Sequence, residues 1–226
     1  RRHGTNITEI LEPAVAVLAS PKMGNSSTIP NEDSLEQEFD ETNLFSSNKF
    51  TGLDRVESST RISYGLRWGV HGAGGGSSSF FVGQRYRIRK DDSFPDGSGL
   101  EDHFSDVVAR VRVRPSSNLS LAYKTRIDKE DLSPRRTELN LSAGAPALNM
   151  RTNYVFFDRQ EGSQFSGREE LSGQVTAKLS RMWRAAYSSR YNLEGDGDLR
   201  SVGLNFTYEC DCFTFNISLQ RQFYED

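Results

Sequence analysis

The sequence lacks most of the features that narrow function quickly. Two cysteines and three histidines in 226 residues are too few for a disulfide framework. Cys210 and Cys212 are separated by one residue, the wrong spacing for a thioredoxin-type or zinc site. His3, His71 and His103 are scattered, so no triad or ligand set stands out and no catalytic, metal or cofactor site is expected. An excess of charge is also missing. Lys+Arg 28 against Asp+Glu 31 leaves a net charge of −3, which provides no field of the kind that draws nucleic acid. No apolar run approaches the roughly 18 residues of a membrane helix; the longest comparable one, Ala14 to Ala19, lies between Pro13 and Pro21. Hydrophobic residues make up only 35%, below the roughly 45–50% of ordinary globular domains. Arg1, Arg2 and His3 do not open a leader segment, and the chain reads as part of a longer one.

What is present is alternation. From Arg61 to Val70, Ile62, Tyr64, Leu66, Trp68 and Val70 share one parity, and Arg61, Ser63, Gly65, Arg67 and Gly69 the other. That is the period of a strand, not of a helix. The pattern recurs with Phe80, Val82, Tyr86 and Ile88, with Val107 to Val113, and with Leu119 to Ile127. It continues through Leu139 to Ala143, Leu148 to Phe156, Leu171 to Leu179, Trp183 to Leu193, Val202 to Tyr208 and Phe213 to Phe223. With Ile10 to Leu18 this predicts eleven strands, many of ten residues or more. Sandwich strands average about 5–6 residues. Strands of about 9–11 residues, apolar on one parity and polar on the other, fit an antiparallel transmembrane β-barrel. Tyr86, Tyr123, Trp183, Tyr191 and Tyr208 are candidates for its interfacial aromatic girdles.

The connections alternate in length. Short ones fall near His71 to Ser77, Pro115 to Asn118, Gly144 to Ala147, Ser180 to Met182 and Glu209 to Cys212; longer ones are Ser20 to Glu57, Lys90 to His103, Lys129 to Arg136, Arg159 to Glu170 and Glu194 to Leu199. Outer-membrane barrels have short periplasmic turns and longer outer loops, so this sorting assigns the sides. An even-stranded barrel would need at least one further strand, so a partial barrel of about eleven strands is expected.

Three stretches carry a family resemblance. The long loop reads Ile29-Pro-Asn-Glu-Asp-Ser34, then Phe39-Asp-Glu-Thr-Asn-Leu-Phe-Ser46, then Phe50-Thr-Gly-Leu-Asp-Arg-Val-Glu57, and enters the strand at Thr60-Arg-Ile-Ser-Tyr-Gly-Leu-Arg67. Gly83-Gln84 with Tyr86-Arg87 follows, and Tyr208-Glu-Cys-Asp-Cys212 lies near the end. Together these resemble the LptD family of LPS-assembly proteins of Gram-negative outer membranes. The motif residues are Pro30, Asn31, Asp33, Ser34, Phe39, Asp40, Asn43, Leu44, Phe45, Gly52, Asp54, Arg55, Glu57, Arg61, Tyr64 and Gly65.

The resemblance implies the C-terminal part of an outer-membrane barrel, spanning residues 1–226, with 20–57 as an extracellular or lumenal loop. It implies a non-enzymatic translocon component that assembles lipopolysaccharide at the outer leaflet. The implied partners are lipopolysaccharide, an LptE-type lipoprotein plug, outer-membrane lipid, and a periplasmic LptA-type bridge reached through an N-terminal domain. A passive porin-type channel is the alternative. The resemblance also implies that Cys210 and Cys212 form disulfides to that N-terminal domain; the residues alone leave a strained mutual bridge or two free thiols open as well.

Arg61, Arg67, Arg85, Arg87, Arg110, Arg112, Arg114, Lys124, Arg126, Arg151, Lys178, Arg184 and Arg190 share the polar parity and are expected to line the lumen. There they either guide phosphorylated saccharide and seat a plug, or pair with loop carboxylates. The acidic run Glu32, Asp33, Glu36, Glu38, Asp40 and Glu41 suits hard cations but has no EF-hand spacing; the residues alone favour a solvated loop, and with the resemblance a folded-in lumenal cap held by Asp54 and Arg55 is expected.

Overall fold

A computed structural model describes residues 7–21, 25, 30, 32–34, 37–89, 94, 97–158 and 167–223. Among them the only extended elements are eleven strands: β1 (Ile7–Leu18), β2 (Arg61–Gly72), β3 (Ser77–Arg87), β4 (Val107–Ser116), β5 (Leu119–Ile127), β6 (Pro134–Ala145), β7 (Leu148–Phe157), β8 (Arg168–Lys178), β9 (Trp183–Asn192), β10 (Asp198–Glu209) and β11 (Thr214–Gln222). They form one sheet in chain order, each neighbour antiparallel to the next, as in β2 with β3 and β9 with β10. The sheet is open, with β1 and β11 as its two edges. This is the all-β partial barrel expected from the alternation.

Register sorts the two faces. Gly65 stands opposite Gly83 and Arg67 opposite Phe81; Phe81 in turn faces Arg110, Arg110 faces Lys124 and Lys124 faces Glu138. Because side chains alternate across a strand, this polar row continues through Arg151 opposite Gln174 and forms the concave face. The convex face carries Leu66, Val82, Val111, Leu141, Val175, Tyr187, Leu204 and Leu219. Leu11, Val15 and Val17 remain more than 60% exposed, and Leu204 and Leu219 are 44% and 60% exposed.

Several boundaries differ from the sequence reading: β6, β8 and β10 begin earlier, at Pro134, Arg168 and Asp198, and Leu179, Leu193, Phe213 and Phe223 fall just outside their strands. β1 starts at Ile7 rather than Ile10, because its register with β2 runs from Ile7 opposite Gly72. Ile88, expected in β3, lies beyond its end: the Ile88 N–H donates to the Thr60 carbonyl at 3.0 Å and the Arg87 N–H to that of His103 at 2.6 Å. The aromatics divide by position. Trp183, Tyr208 and Phe213 form a chain of ring contacts at 5.1 and 5.5 Å by the turns 179–182 and 210–213. Tyr86 packs on Phe104 at 4.8 Å at the opposite rim, where Tyr191 also lies. Tyr123 sits at the middle of β5, away from either rim.

The core is one-sided. Among the described residues, every buried apolar one, Phe39, Leu44, Phe50, Phe81, Phe94, Leu100 and Val108, comes from β3, β4 or the connections 19–60 and 88–106. No described residue of β6–β11 is buried.

Candidate functional site

The connection between β1 and β2 folds back over the concave face of β2–β5 and fills it. Its internal frame is a carboxylate clasp. Asp33 accepts from the Leu53 N–H at 3.1 Å and the Asp54 N–H at 3.2 Å; Asp54 accepts in return from the Glu32 and Asp33 N–H groups at 2.8 and 3.1 Å. These backbone donors hold the Asp33 carboxyl below its usual range. Gly52 closes the clasp at φ 77, and a Cβ there would lie 2.4 Å from the Asp33 carboxylate, which is why this position needs glycine. The Ser34 hydroxyl accepts from the Arg55 N–H at 3.0 Å. Asp54 and Arg55 therefore secure the loop to itself, Arg55 through its backbone. Pro30 lies exposed at the loop's outer part; Asn31 is outside the described residues.

A second turn is organised by Asp40, which accepts from the Thr42 and Asn43 N–H groups at 2.8 and 3.2 Å. The Asn43 amide donates to the Glu38 carbonyl at 2.7 Å. This turn presents Leu44, with Phe45 packed beside it, to a gap made by two facing glycines. A Cβ on Gly83 would lie 2.4 Å from Leu44 Cδ2, and one on Gly65 would lie 2.9 Å from the Val82 carbonyl oxygen. Tyr64 points to the other face and donates to Gln84 at 2.7 Å.

The anchor to the strands is Glu57. Its carboxylate lies 2.9 Å from Arg85 and 3.4 Å from Arg61, and also accepts from Arg87. All four side chains are almost fully buried. Arg85 further donates to the Ser63 hydroxyl at 3.0 Å and to the Leu44 carbonyl, and Ser63 donates to that carbonyl at 2.9 Å. Arg87 donates to the Leu100 carbonyl at 2.7 Å and stacks over Phe94 at 4.3 Å, which joins the 88–106 connection to the same core. Asn48, absent from the sequence reading, accepts from the Glu57 N–H at 3.0 Å.

Around this anchor the loop carboxylates face strand cations. Glu41 lies 3.3 Å from Lys124 and 3.7 Å from Arg110; Arg136 lies 3.1 Å from Glu38 and 3.8 Å from Asp40. Asp106 lies 3.5 Å from Arg126, and burial pushes its carboxyl up to about 6. Of the acidic run, Glu38, Asp40 and Glu41 thus meet arginine and lysine, each ion suited to the other; Asp33 serves backbone N–H groups instead, and Glu36 lies outside the described residues. Arg67 is different: it meets Glu12 at 3.4 Å with both side chains 56% exposed.

Along β4 beyond Arg110, and at Arg151 on β7, no ion pair forms among the described residues. Arg112, Arg114 and Arg151 line an open cavity of about 550 Å³ on the concave face of β4–β11, with Asn140, Asn153 and Gln174. Glu170 lies on this face too, 2.9 Å from Arg190. Cys210 and Cys212 lie in the β10–β11 turn as two free thiols; the N–H groups of Cys212 and Phe213 pull the Cys210 thiol below its usual range.

This folded loop, its glycine seat and the strand that follows are the segments that carried the resemblance in the sequence. A family profile described as LPS transport system D, LptD, matches residues 1–183. The chain belongs to the LptD family. It is 23% identical to the LPS-assembly protein LptD of Burkholderia thailandensis, over 98% of this chain and 28% of that protein. It is 26% identical to the protein of the same name from Aeromonas hydrophila, over 96% of this chain and 28% of the relative. For Neisseria meningitidis serogroup A the figures are 25%, 98% and 29%. The chain therefore spans well under a third of the length of these curated LptD relatives. The family and relative names describe transport and assembly, not a reaction.

Proposed function

We propose that this chain is the C-terminal part of an outer-membrane barrel that assembles lipopolysaccharide at the outer leaflet. The observation that carries the reading is the two-sided sheet of an LptD-family chain. Its convex face leaves large apolar side chains exposed on nine of the eleven strands, all but β4 and β6, more than a water-soluble monomer tolerates, while its concave face is polar and lined with guanidinium groups. Lipid outside and an aqueous lumen inside suit that arrangement. The 42-residue-scale connection folded onto β2–β5 then belongs to the outer rim, and the turns 73–76, 117–118, 146–147, 179–182 and 210–213 to the periplasmic rim.

Within this reading Arg112, Arg114 and Arg151 are the lumenal cations left for lipopolysaccharide phosphate or for an LptE-type plug, since guanidinium forks match phosphate and carboxylate alike. Cys210 and Cys212 sit in a periplasmic turn, an oxidising compartment, and form disulfides to the N-terminal domain through which an LptA-type bridge delivers substrate.

The test is depletion of the full-length protein in its own cells with pulse-labelled lipopolysaccharide. Label that stops reaching the cell surface supports the translocon. Undiminished surface label with reduced uptake of small solutes moves the assignment to a passive porin-type channel.

A further inference from the structure

Among the described residues of the β1–β2 connection, Lys49 is the one buried cation, and no carboxylate lies at ion-pair distance from it. It is fully buried. Its Nζ donates to two acceptors of a single residue, the Asn43 carbonyl and side-chain oxygens, and sits 5.0 Å from the Phe39 ring centre. Two acceptors serve the two N–H groups of a neutral amine; an ammonium has three donors to place.

The charged groups around it come from three elements. Its own loop contributes Glu57 and Asp40, β2 contributes Arg61 and β3 contributes Arg85, with Arg87 on the far side of Glu57. The two carboxylates and the Phe39 ring favour an ammonium. Glu57, however, already serves three guanidiniums, and Asp40 lies toward Arg136 at 3.8 Å. A protonated Lys49 would be a fourth cation near a carboxylate already shared by three, in a site without water contact. Burial, with Arg85 next, pushes Lys49 down to about 6.

We infer that seating of the β1–β2 loop in the concave face expels the proton of Lys49, so that the loop is held more tightly as pH rises. The proton passes from Nζ to solvent as the loop docks, and no other bond changes. The sign follows from proton counting. The released loop carries the proton up to the ordinary lysine range while the docked loop has already lost it above about 6, so docking strengthens with pH across that window and is indifferent to this group below it. Acidification toward 6 therefore loosens the cap over β2–β5, a property that the transport reading does not require and does not depend on.

The experiment is amide hydrogen exchange on the full-length protein in detergent or vesicles. It follows the Gln37 amide, bonded to the Lys49 carbonyl, and the Ser46 amide, bonded to that of Asn43. Dividing wild-type rates by those of K49M at each pH cancels the intrinsic chemistry of exchange. The ratio is expected to fall about tenfold per pH unit between pH 6.5 and 9, the slope of one linked proton. A flat ratio overturns the inference. K49R keeps a permanent charge and gives a second reference: the ratio to it falls with the same slope. The Asp106 amide, bonded to Gly99 in the neighbouring connection, supplies an internal reference within the wild-type protein should either variant assemble poorly.

Discussion

Glu57 shows how one residue converts a loop into a lumenal cap. Three guanidiniums, from Arg61, Arg85 and Arg87, converge on its carboxylate with side chains at most 2% exposed. A buried charge cluster of this kind adds little as a whole, but removing one partner leaves uncompensated charge in a low-dielectric site. Glu57→Gln keeps the shape and removes the charge. The expected cost to loop docking is about 3–5 kcal/mol, read as fast proteolytic cleavage in 37–60 while the strands stay protected. Cleavage no faster than wild type would show that Asp33, Asp54 and the apolar core suffice to hold the loop. Lys49 belongs to the same scale with the opposite logic, since its charge is unwelcome where that of Glu57 is required.

Single elements behave according to which parity is touched. β10 exposes Leu204 on the convex face and turns Asn205 to the concave one. Under the barrel reading, Leu204→Arg near the strand centre costs about 2–4 kcal/mol, because the guanidinium meets lipid at the midplane. Asn205→Arg costs little, because it meets the lumen. The amount of each variant that resists proteolysis in purified outer membranes reports the difference, and equal yields would contradict a lipid-facing convex side. The connection 88–106 has its own acid response. The Asp106 carboxyl is raised to about 6, first by burial, with Arg126 acting the other way. Its contribution to stability is therefore fully present below the ordinary carboxylate range and is lost as pH rises through 6. Protection of the Asp106 amide should increase from pH 6 to pH 4, and Asp106→Asn should abolish that increase. This limb lies below the window in which Lys49 acts, so the two connections tighten at opposite ends of the pH scale.

At the scale of the whole molecule, the sheet is complete only in company. Both faces of β6–β11 are unburied, and the edges β1 and β11 remain unpaired with one another; lipid, lumenal contents and the rest of a longer chain are the partners that fit. The cysteines give this a direct test. Full-length protein on a non-reducing gel should run differently from the reduced form, and changing both Cys210 and Cys212 to serine should abolish the shift. An unchanged shift would place the bridge elsewhere.

Strand number, parity and turn positions were legible in the sequence because each depends on a period of two and on Gly, Pro and Asn at the breaks. The loop's importance was legible too, through Pro30 to Glu57. Its mechanism was not. Asp54 and Arg55 look like the anchors by charge, yet Asp54 is consumed by backbone N–H groups within the loop, and the strand contact falls to Glu57. Lys49, Asn48 and Asp106 carry no pattern that marks them, because their roles exist only after the loop has crossed the sheet. Sequence alone determined which side of every strand carries the apolar side chains, since alternation is a local property of the backbone. Only the tertiary structure decided which cations are neutralised and which stay open, because that depends on where residues 37–60 and 97–106 come to rest over Arg85, Arg110 and Arg126, and on their stopping short of Arg112, Arg114 and Arg151.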